Sequence, residues 1–263
     1  MLYKSARGDV PNDMMTNGEL KLVAHVVDAM AEGLTPTIAL DVGANRGEWS
    51  REVLDQSVRY GLEGVRVLAF EPVPATTEQL RANIGEREGV TIIDRALGER
   101  RGTARMAVSN DVHSSGGTNA LIMREGFAGN DEEIEVLLDT LTSIFDEFGI
   151  DRAAIVKCDA EGFDPFVIDG ARPLLDQGRI DILQFEYNHR WVGTRRFLQD
   201  IFAISEETPY AVCGITPNGL ERFESWHFEL ESFFERNYAL IHKDAANWLP
   251  IHFGRFDATN SYA

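Results

Sequence analysis

A chain of 263 residues can bury one sizeable core, and with 44% hydrophobic and 26% charged residues it has the make-up of a globular protein, not a disordered or fibrous one. Its formal charge of -18 repels polyanions, which argues against nucleic acid or an anionic membrane surface as the main partner. No stretch approaches the roughly 18 apolar residues of a membrane span, and the opening MLYKSARGDVPND lacks the apolar run of a leader peptide, so a cytoplasmic protein is expected.

In chain order, residues 1–18 mix Gly, Pro, Asn and Asp without period and read as an arm. Over 19–30, Leu20, Leu22, Val23, Val26, Val27 and Met30 fit one helix face. An N-terminal arm and helix over 1–36 is therefore expected ahead of a single domain over 37–263. Short apolar runs then alternate with helical patterns: strand 37–40 and helix 47–60, strand 65–70 and helix 76–84, strand 90–93. That alternation predicts βαβ units and a parallel sheet covered on both faces. Residues 103–108 alternate like an exposed strand, and about 109–133 read as a loop insertion rich in Gly and Ser. Regular pattern resumes with strand 134–138, helix 141–148, strand 154–158, a short helix near 165–168 and strand 180–185, which makes five strand-then-helix units. The tail offers a helix at 195–204 and a hairpin-forming pair of strands at 210–215 and 238–242. Between them Phe223, Trp226, Phe228, Phe233 and Phe234 have the near-helical spacing of core residues. Cys158 and Cys213 each sit inside an apolar run, as buried reduced thiols do, and suit a reducing compartment.

The stretch IALDVGANRGEWS, residues 38–50, is a strand, a tight glycine turn and a helix start. That device brings a ligand against backbone N–H groups at a helix N-terminus. Gly43 and Gly47 give only G-x-x-x-G, short of the dinucleotide fingerprint, and no G-K-[ST] follows to make a phosphate loop. Asp41 at the end of this strand and Glu71 at the end of the next would repel a pyrophosphate between them. A cation that carries hydroxyls fits better. S-adenosylmethionine has a sulfonium and an ammonium for a carboxylate, a ribose diol for Glu71, and no phosphate. Asp94, closing the third strand, is placed by the same topology near the adenine amine.

The segments DVGANRGEWS, VLAFEPVPATTEQLRANI, VTIIDRALGERRGTARM and IVKCDAEGFDPFVIDGA resemble, in that order, the FkbM family of S-adenosylmethionine-dependent methyltransferases. The resemblance spans about 37–190, and Lys157-Cys158-Asp159-Ala160-Glu161-Gly162 is similar to the family's K-x-D-x-E-G signature. It implies the class I methyltransferase Rossmann-like fold, an α/β architecture with a seven-stranded, mostly parallel sheet, an antiparallel last strand and helices on both faces. It also implies methylation of hydroxyls on sugars, glycans or secondary metabolites. The cofactor set expected from it is Asp41, Gly43, Ala44, Asn45, Gly47, Glu71, Pro72, Asp94, Ala96 and Asp159.

Ligands of open α/β sheets lie outside the carboxyl ends of the strands, here DAEGFD from Asp159 and EYNHRW from Glu186. A sugar hydroxyl has a pKa on the order of 15 to 16, so a base or metal must help remove its proton. Three readings stand open: His189 or His113 as general base; Asp159 or Glu161, desolvated in the cleft; or a divalent cation gathered by Asp159, Glu186 and Asn188. His113, Ser114, Ser115, Glu186 and Asn188 are candidate acceptor-binding groups, and Trp191 is the aromatic expected under a sugar ring. The partner expected is a small-molecule or glycan acceptor, with oligomeric state open. A non-catalytic S-adenosylmethionine-binding subunit is the alternative outside catalysis. N-methylation is the alternative within it, although DAEGFD is not the Asn/Asp-Pro-Pro-aromatic segment of many N-methyltransferases.

Overall fold

The computed structural model describes residues 12–108, 120–121 and 132–254. Helix α1 (Glu19–Ala31) leads into strand β1 (Ile38–Val42), helix α2 (Glu48–Arg59), strand β2 (Arg66–Phe70), helix α3 (Pro74–Ile84) and strand β3 (Val90–Ile93). Strand β8 (Ala153–Cys158) is followed by helices α5 (Asp164–Gly170) and α6 (Arg172–Asp176), after α4 (Leu141–Glu147). Strand β9 (Ile180–Tyr187), helices α7 (Trp191–Thr194) and α8 (Leu198–Glu207), and strands β10 (Tyr210–Thr216), β11 (Gly219–Arg222), β12 (Arg236–His242) and β13 (Ile251–Phe253) complete the main layer.

These strands form one sheet in the order β13-β11-β10-β12-β9-β8-β1-β2-β3. From β3 to β9 every pairing is parallel, and β12 runs antiparallel to both β9 and β10. The reason lies in the residues: every side chain of β8 and β9 is buried, as in strands covered on both faces, which read as continuous apolar runs. Leu40, Leu68, Val156 and Leu183 join the α4–α6 side of the core, while Ala39, Val67, Ile155 and Ile182 join the side covered by α1 and α2.

The expected count of seven strands is corrected. The seven from β3 to β10 are present in the expected arrangement, but β11 adds to β10 through a turn between Thr216 and Gly219, and β13 adds parallel to β11, making nine. Residues 134–138, counted as a unit of the main sheet, instead belong to strand β7 (Glu132–Asp139) of a second sheet. That sheet has the order β4-β7-β5-β6, with β4 at Ala96–Leu97, β5 at Gly102–Val108 and β6 at Ala120–Leu121. Here Glu135 and Leu137 are exposed and Val136 and Leu138 buried, the period-two pattern of an antiparallel sheet with one wet face. Of the aromatics at 223–234 expected in the core, Phe223 is in it and Trp226 and Phe233 pack against it, while Phe228, on a 3-10 turn at Phe228–Leu230, is 66% exposed. Cys158 and Cys213 are buried free thiols. Among the described residues no helix is long and apolar enough to cross a membrane.

Candidate active site

A cleft opens at the carboxyl ends of β1 and β2 and the turn after β8. The glycine turn forms its floor. The N–H groups of Gly43 and Ala44 both donate to the Phe70 carbonyl at 3.0 and 2.9 Å, and Asp159 N–H donates to the Val42 carbonyl at 3.0 Å, fastening the ends of three strands together. Gly43 has φ 77°, and a Cβ there would lie 2.0 Å from the Asp159 carbonyl oxygen. Gly47 has φ 85°, with a Cβ position 2.7 Å from Leu80 and 2.9 Å from Ile84, so the turn also packs α3 closely. Asn45, left-handed at φ 48°, turns its N–H to Glu71 Oε2 at 3.1 Å, and Val73 N–H donates to Glu71 Oε1 at 3.0 Å.

Carboxylates dominate this cleft. Asp41 is 1% exposed and accepts from Ser50 Oγ at 2.7 Å through Oδ2, while its Oδ1 is buried with no hydrogen-bond donor. Burial raises the Asp41 pKa, opposed by the Lys157 ammonium 3.9 Å away. Lys157 lies closer, at 3.2 Å, to Asp159. Its own burial disfavours the charge, but Asp159, Asp41 and Glu19 outweigh that and raise its pKa. Burial likewise pushes Glu71 to about 7 against the two backbone donors. Glu161, left-handed at φ 54°, pairs with Arg190 at 2.5 Å and is pushed to about 7 by burial and then by Asp159. Asp164, fully buried, accepts from Gly162 N–H at 3.3 Å and Glu186 N–H at 3.2 Å, tying the turn after β8 to β9; burial pushes it to about 7. Burial, and after it the charges of Asp159 and Asp164, raises Glu186 well above the ordinary carboxylate range.

Of the residues singled out in the sequence, Gly43, Asn45, Glu71, Pro72, Ala96, Asp159 and Glu161 line the cleft together, with Asp41 and Ala44 buried beneath the turn. Asp94 is not with them: it is exposed, and both its oxygens are taken by Arg81 at 2.6 and 2.8 Å, because α3 carries that arginine directly over the end of β3. His189 is exposed and does not line the cleft. His113, Ser114 and Ser115 lie outside the described residues. Asp159, Glu186 and Asn188 do not converge as a cation cage. Asn188 turns its amide hydrogens to Glu186, and its oxygen accepts Arg190 N–H at 2.9 Å, so the third oxygen is spent elsewhere. Among the described residues no group of three or more His, Cys, Asp or Glu side chains is arranged to hold a metal ion.

Trp191 is also corrected. It is fully buried, its Nε1–H donates to the Glu186 carbonyl at 3.0 Å, and its ring meets Tyr187 edge-on at 5.1 Å and Phe185 at 6.0 Å. An indole packed this way supports β9 and cannot carry a sugar on its face. Trp191→Ala is expected to lower stability by about 3–5 kcal/mol in urea unfolding; a loss below about 1 kcal/mol would contradict this packing role.

Five lining residues escaped the sequence reading: Val42 and Ala160, next to predicted positions, and Arg95, Leu97 and Met106, which belong to or border the second sheet. Met106 was legible as an inward position of the alternating 103–108 strand; what it faces was not. Arg95 is the basic residue of the lining, and its guanidinium is held by Glu147 at 2.6 and 3.0 Å and Asp139 at 3.2 Å.

The sequence pattern of the methyltransferase FkbM domain matches residues 41–233. The chain belongs to the FkbM methyltransferase family. No curated protein matches it in sequence. Among solved structures, this FkbM chain is similar to the methyltransferase FkbM of Methylobacillus flagellatus KT, at 16% identity and TM-score 0.47 over 77% of this chain and 42% of that one. The chain thus spans about two fifths of that protein's length. It is also similar to an O-methyltransferase of Bacillus cereus in complex with S-adenosylhomocysteine, at 11% identity and TM-score 0.43 over 91% and 87% of the two chains. A third likeness is to the fibrillarin of Aeropyrum pernix with natively bound S-adenosyl-L-methionine, at 11% and 0.42 over 84% and 74%.

Proposed function

We propose that this chain transfers a methyl group from S-adenosylmethionine to a hydroxyl of a sugar, glycan or secondary metabolite. The observation that carries the cofactor half is Asp41 Oδ1, buried without a donor beside a cleft whose cleft-lining carboxylates include Glu71 and Asp159. A buried acceptor that makes no hydrogen bond and has only a cation 3.9 Å away is costly, and the charge of a bound cation would offset that cost. Asp159 would face the cationic part of the cofactor with the Asp41 charge buried behind it, Glu71 its ribose diol, and Pro72, Ala96, Leu97 and Met106 its base. Once bound, the cofactor supplies a methyl group made electrophilic by its sulfonium.

The chain's own task is to hold an acceptor oxygen in line and receive its proton. Glu161 suits that role. It lines the cleft, it is raised to about 7 so that it is partly ionised at neutral pH yet basic enough to take a proton, and Arg190 fixes its carboxylate. Asp159 is committed to Lys157, and His189 faces solvent. A hydroxyl as acceptor is favoured over an amine by the need for a base of this kind and by the absence of an Asn/Asp-Pro-Pro-aromatic turn in DAEGFD. Buried free thiols at Cys158 and Cys213 support a reducing, cytoplasmic setting.

The test is release of S-adenosylhomocysteine on offering a panel of polyols and glycosides, alongside calorimetric titration of the cofactor. Glu161→Gln is expected to lower kcat by about 100- to 1000-fold while cofactor affinity stays within about twofold. Full activity in that variant would move the base elsewhere. Absence of S-adenosylmethionine binding at millimolar concentration would end the proposal as a whole.

A further inference from the structure

The sheet register places Asp41 beside Lys157 across β1 and β8, and Lys157 beside Gln184 across β8 and β9. Cross-strand neighbours share a face, so these three side chains form one buried row beneath the cleft. The row ends on the N-terminal segment. Gln184 Nε2 donates to Glu19 Oε2 at 2.6 Å, and Glu19 Oε1 accepts from Asn17 Nδ2 at 2.6 Å and Asn237 Nδ2 at 2.9 Å. Glu19 is 4% exposed, and the ammonium of Lys157 feels its charge together with those of Asp159 and Asp41. One cation therefore serves three carboxylates drawn from α1, β1 and the turn after β8.

An excess of buried negative charge is unfavourable in the empty protein, unless its purpose is to meet a positive ligand. The distances show how the shortage is distributed: Lys157 is within hydrogen-bond range of Asp159 but 3.9 Å from Asp41 Oδ1, the atom that has no donor. We propose that Glu19 is a positioning residue of the cofactor site, whose charge behind Lys157 keeps that ammonium from neutralising Asp41 and so gives the cleft its preference for a sulfonium. The N-terminal segment is then a working part of the site, not an arm ahead of it. This rests on the cofactor reading above.

S-adenosylmethionine and S-adenosylhomocysteine share every group except the sulfonium charge and methyl, so the ratio of their affinities isolates the effect. Calorimetric titration of both ligands into full-length Glu19→Gln is expected to show the preference for S-adenosylmethionine falling on the order of tenfold, the size expected for removing one charge near a partly buried site. The variant has a route to fold, because Gln184 Oε1 is buried without a donor and can receive the introduced amide if that side chain turns over. Glu19→Asp keeps the charge and is expected to hold the wild-type ratio within about twofold. Should Glu19→Gln not fold, the double variant Glu19→Gln/Lys157→Met removes both charges, leaves Asp41 without its cation and is expected to hold or raise the wild-type ratio, whereas a ratio about tenfold lower there would overturn the proposal.

The proposal is also overturned if Glu19→Gln folds and leaves the ratio unchanged, or weakens both ligands alike as a packing defect would. If the wild-type protein binds neither ligand, the cofactor reading fails and this one with it. If it prefers S-adenosylmethionine and only the ratio in the variant refuses to move, Glu19 alone loses its role.

Discussion

Gly43→Ala is expected to destabilise the protein by about 3–5 kcal/mol and to remove cofactor binding, because two independent terms add at one atom. The residue sits at φ 77°, where an L side chain costs about 1–2 kcal/mol. The added Cβ would lie 2.0 Å from the Asp159 carbonyl oxygen and 2.9 Å from its carbon, both backbone. A flexible side chain could swing away from such a contact. The Asp159 carbonyl cannot, since the adjacent Asp159 N–H is bonded to Val42 and the Lys157 and Cys158 pairings hold β8 to β1. Relief therefore requires β1 and β8 to part where Asp41, Lys157 and Asp159 meet. Gly149→Ala separates the terms: it has φ 60° but nothing within 4 Å of the new Cβ, so it should show the backbone cost alone. Urea unfolding of both variants checks this, and equal losses at the two positions would refute the close-approach argument.

The parts of this fold that were legible in the sequence are those whose local pattern and environment agree. The largely apolar runs at 154–158 and 180–185 predict strands, and these form the central strands Ala153–Cys158 and Ile180–Tyr187, buried on both faces. Strands β11 and β13 were not legible because GLER and IHF are too short and mixed to stand out, and owe their pairing to neighbours already in place. Residues 134–138 looked like one more parallel strand because an alternating segment does not announce which partner will supply its ladder. In the site, Asp41, Glu71 and Asp159 could be read because strand ends and a glycine turn are local signals. Asp94 shared that signal, but the outcome was decided by Arg81, whose reach over β3 depends on how α3 packs. Trp191 was misjudged for a similar reason: its place follows from Phe185, Tyr187 and the Glu186 carbonyl closing around it. Glu19 escaped notice because its partners Gln184 and Asn237 are 165 and 218 residues away in sequence.

The second large effect is on pH dependence, and its sign is opposite to that of most paired carboxylates. Glu71, Glu161 and Asp164 are each pushed up to about 7 by burial first, from ordinary values of 4.5, 4.5 and 3.8. A carboxyl raised on folding binds its proton more tightly in the folded state, so its contribution to stability is complete below the unfolded value and is lost as pH rises through about 7. For Glu71, 5% exposed, the shift from 4.5 to about 7 corresponds to about 3 kcal/mol. The ligand-free protein should therefore melt at higher temperature at pH 5.5 than at pH 8. A ribose diol donating hydrogen bonds wants Glu71 ionised, so the proton on Glu71 competes with the cofactor: S-adenosylmethionine should raise the melting temperature strongly at pH 8 and weakly at pH 5.5. The two trends run in opposite directions, because the proton that stabilises Glu71 in the empty cleft is one the cofactor has to displace. Melting curves with and without ligand at the two pH values decide it; a ligand-free protein that loses stability between pH 8 and 5.5 would show that these carboxyls stay ionised on folding.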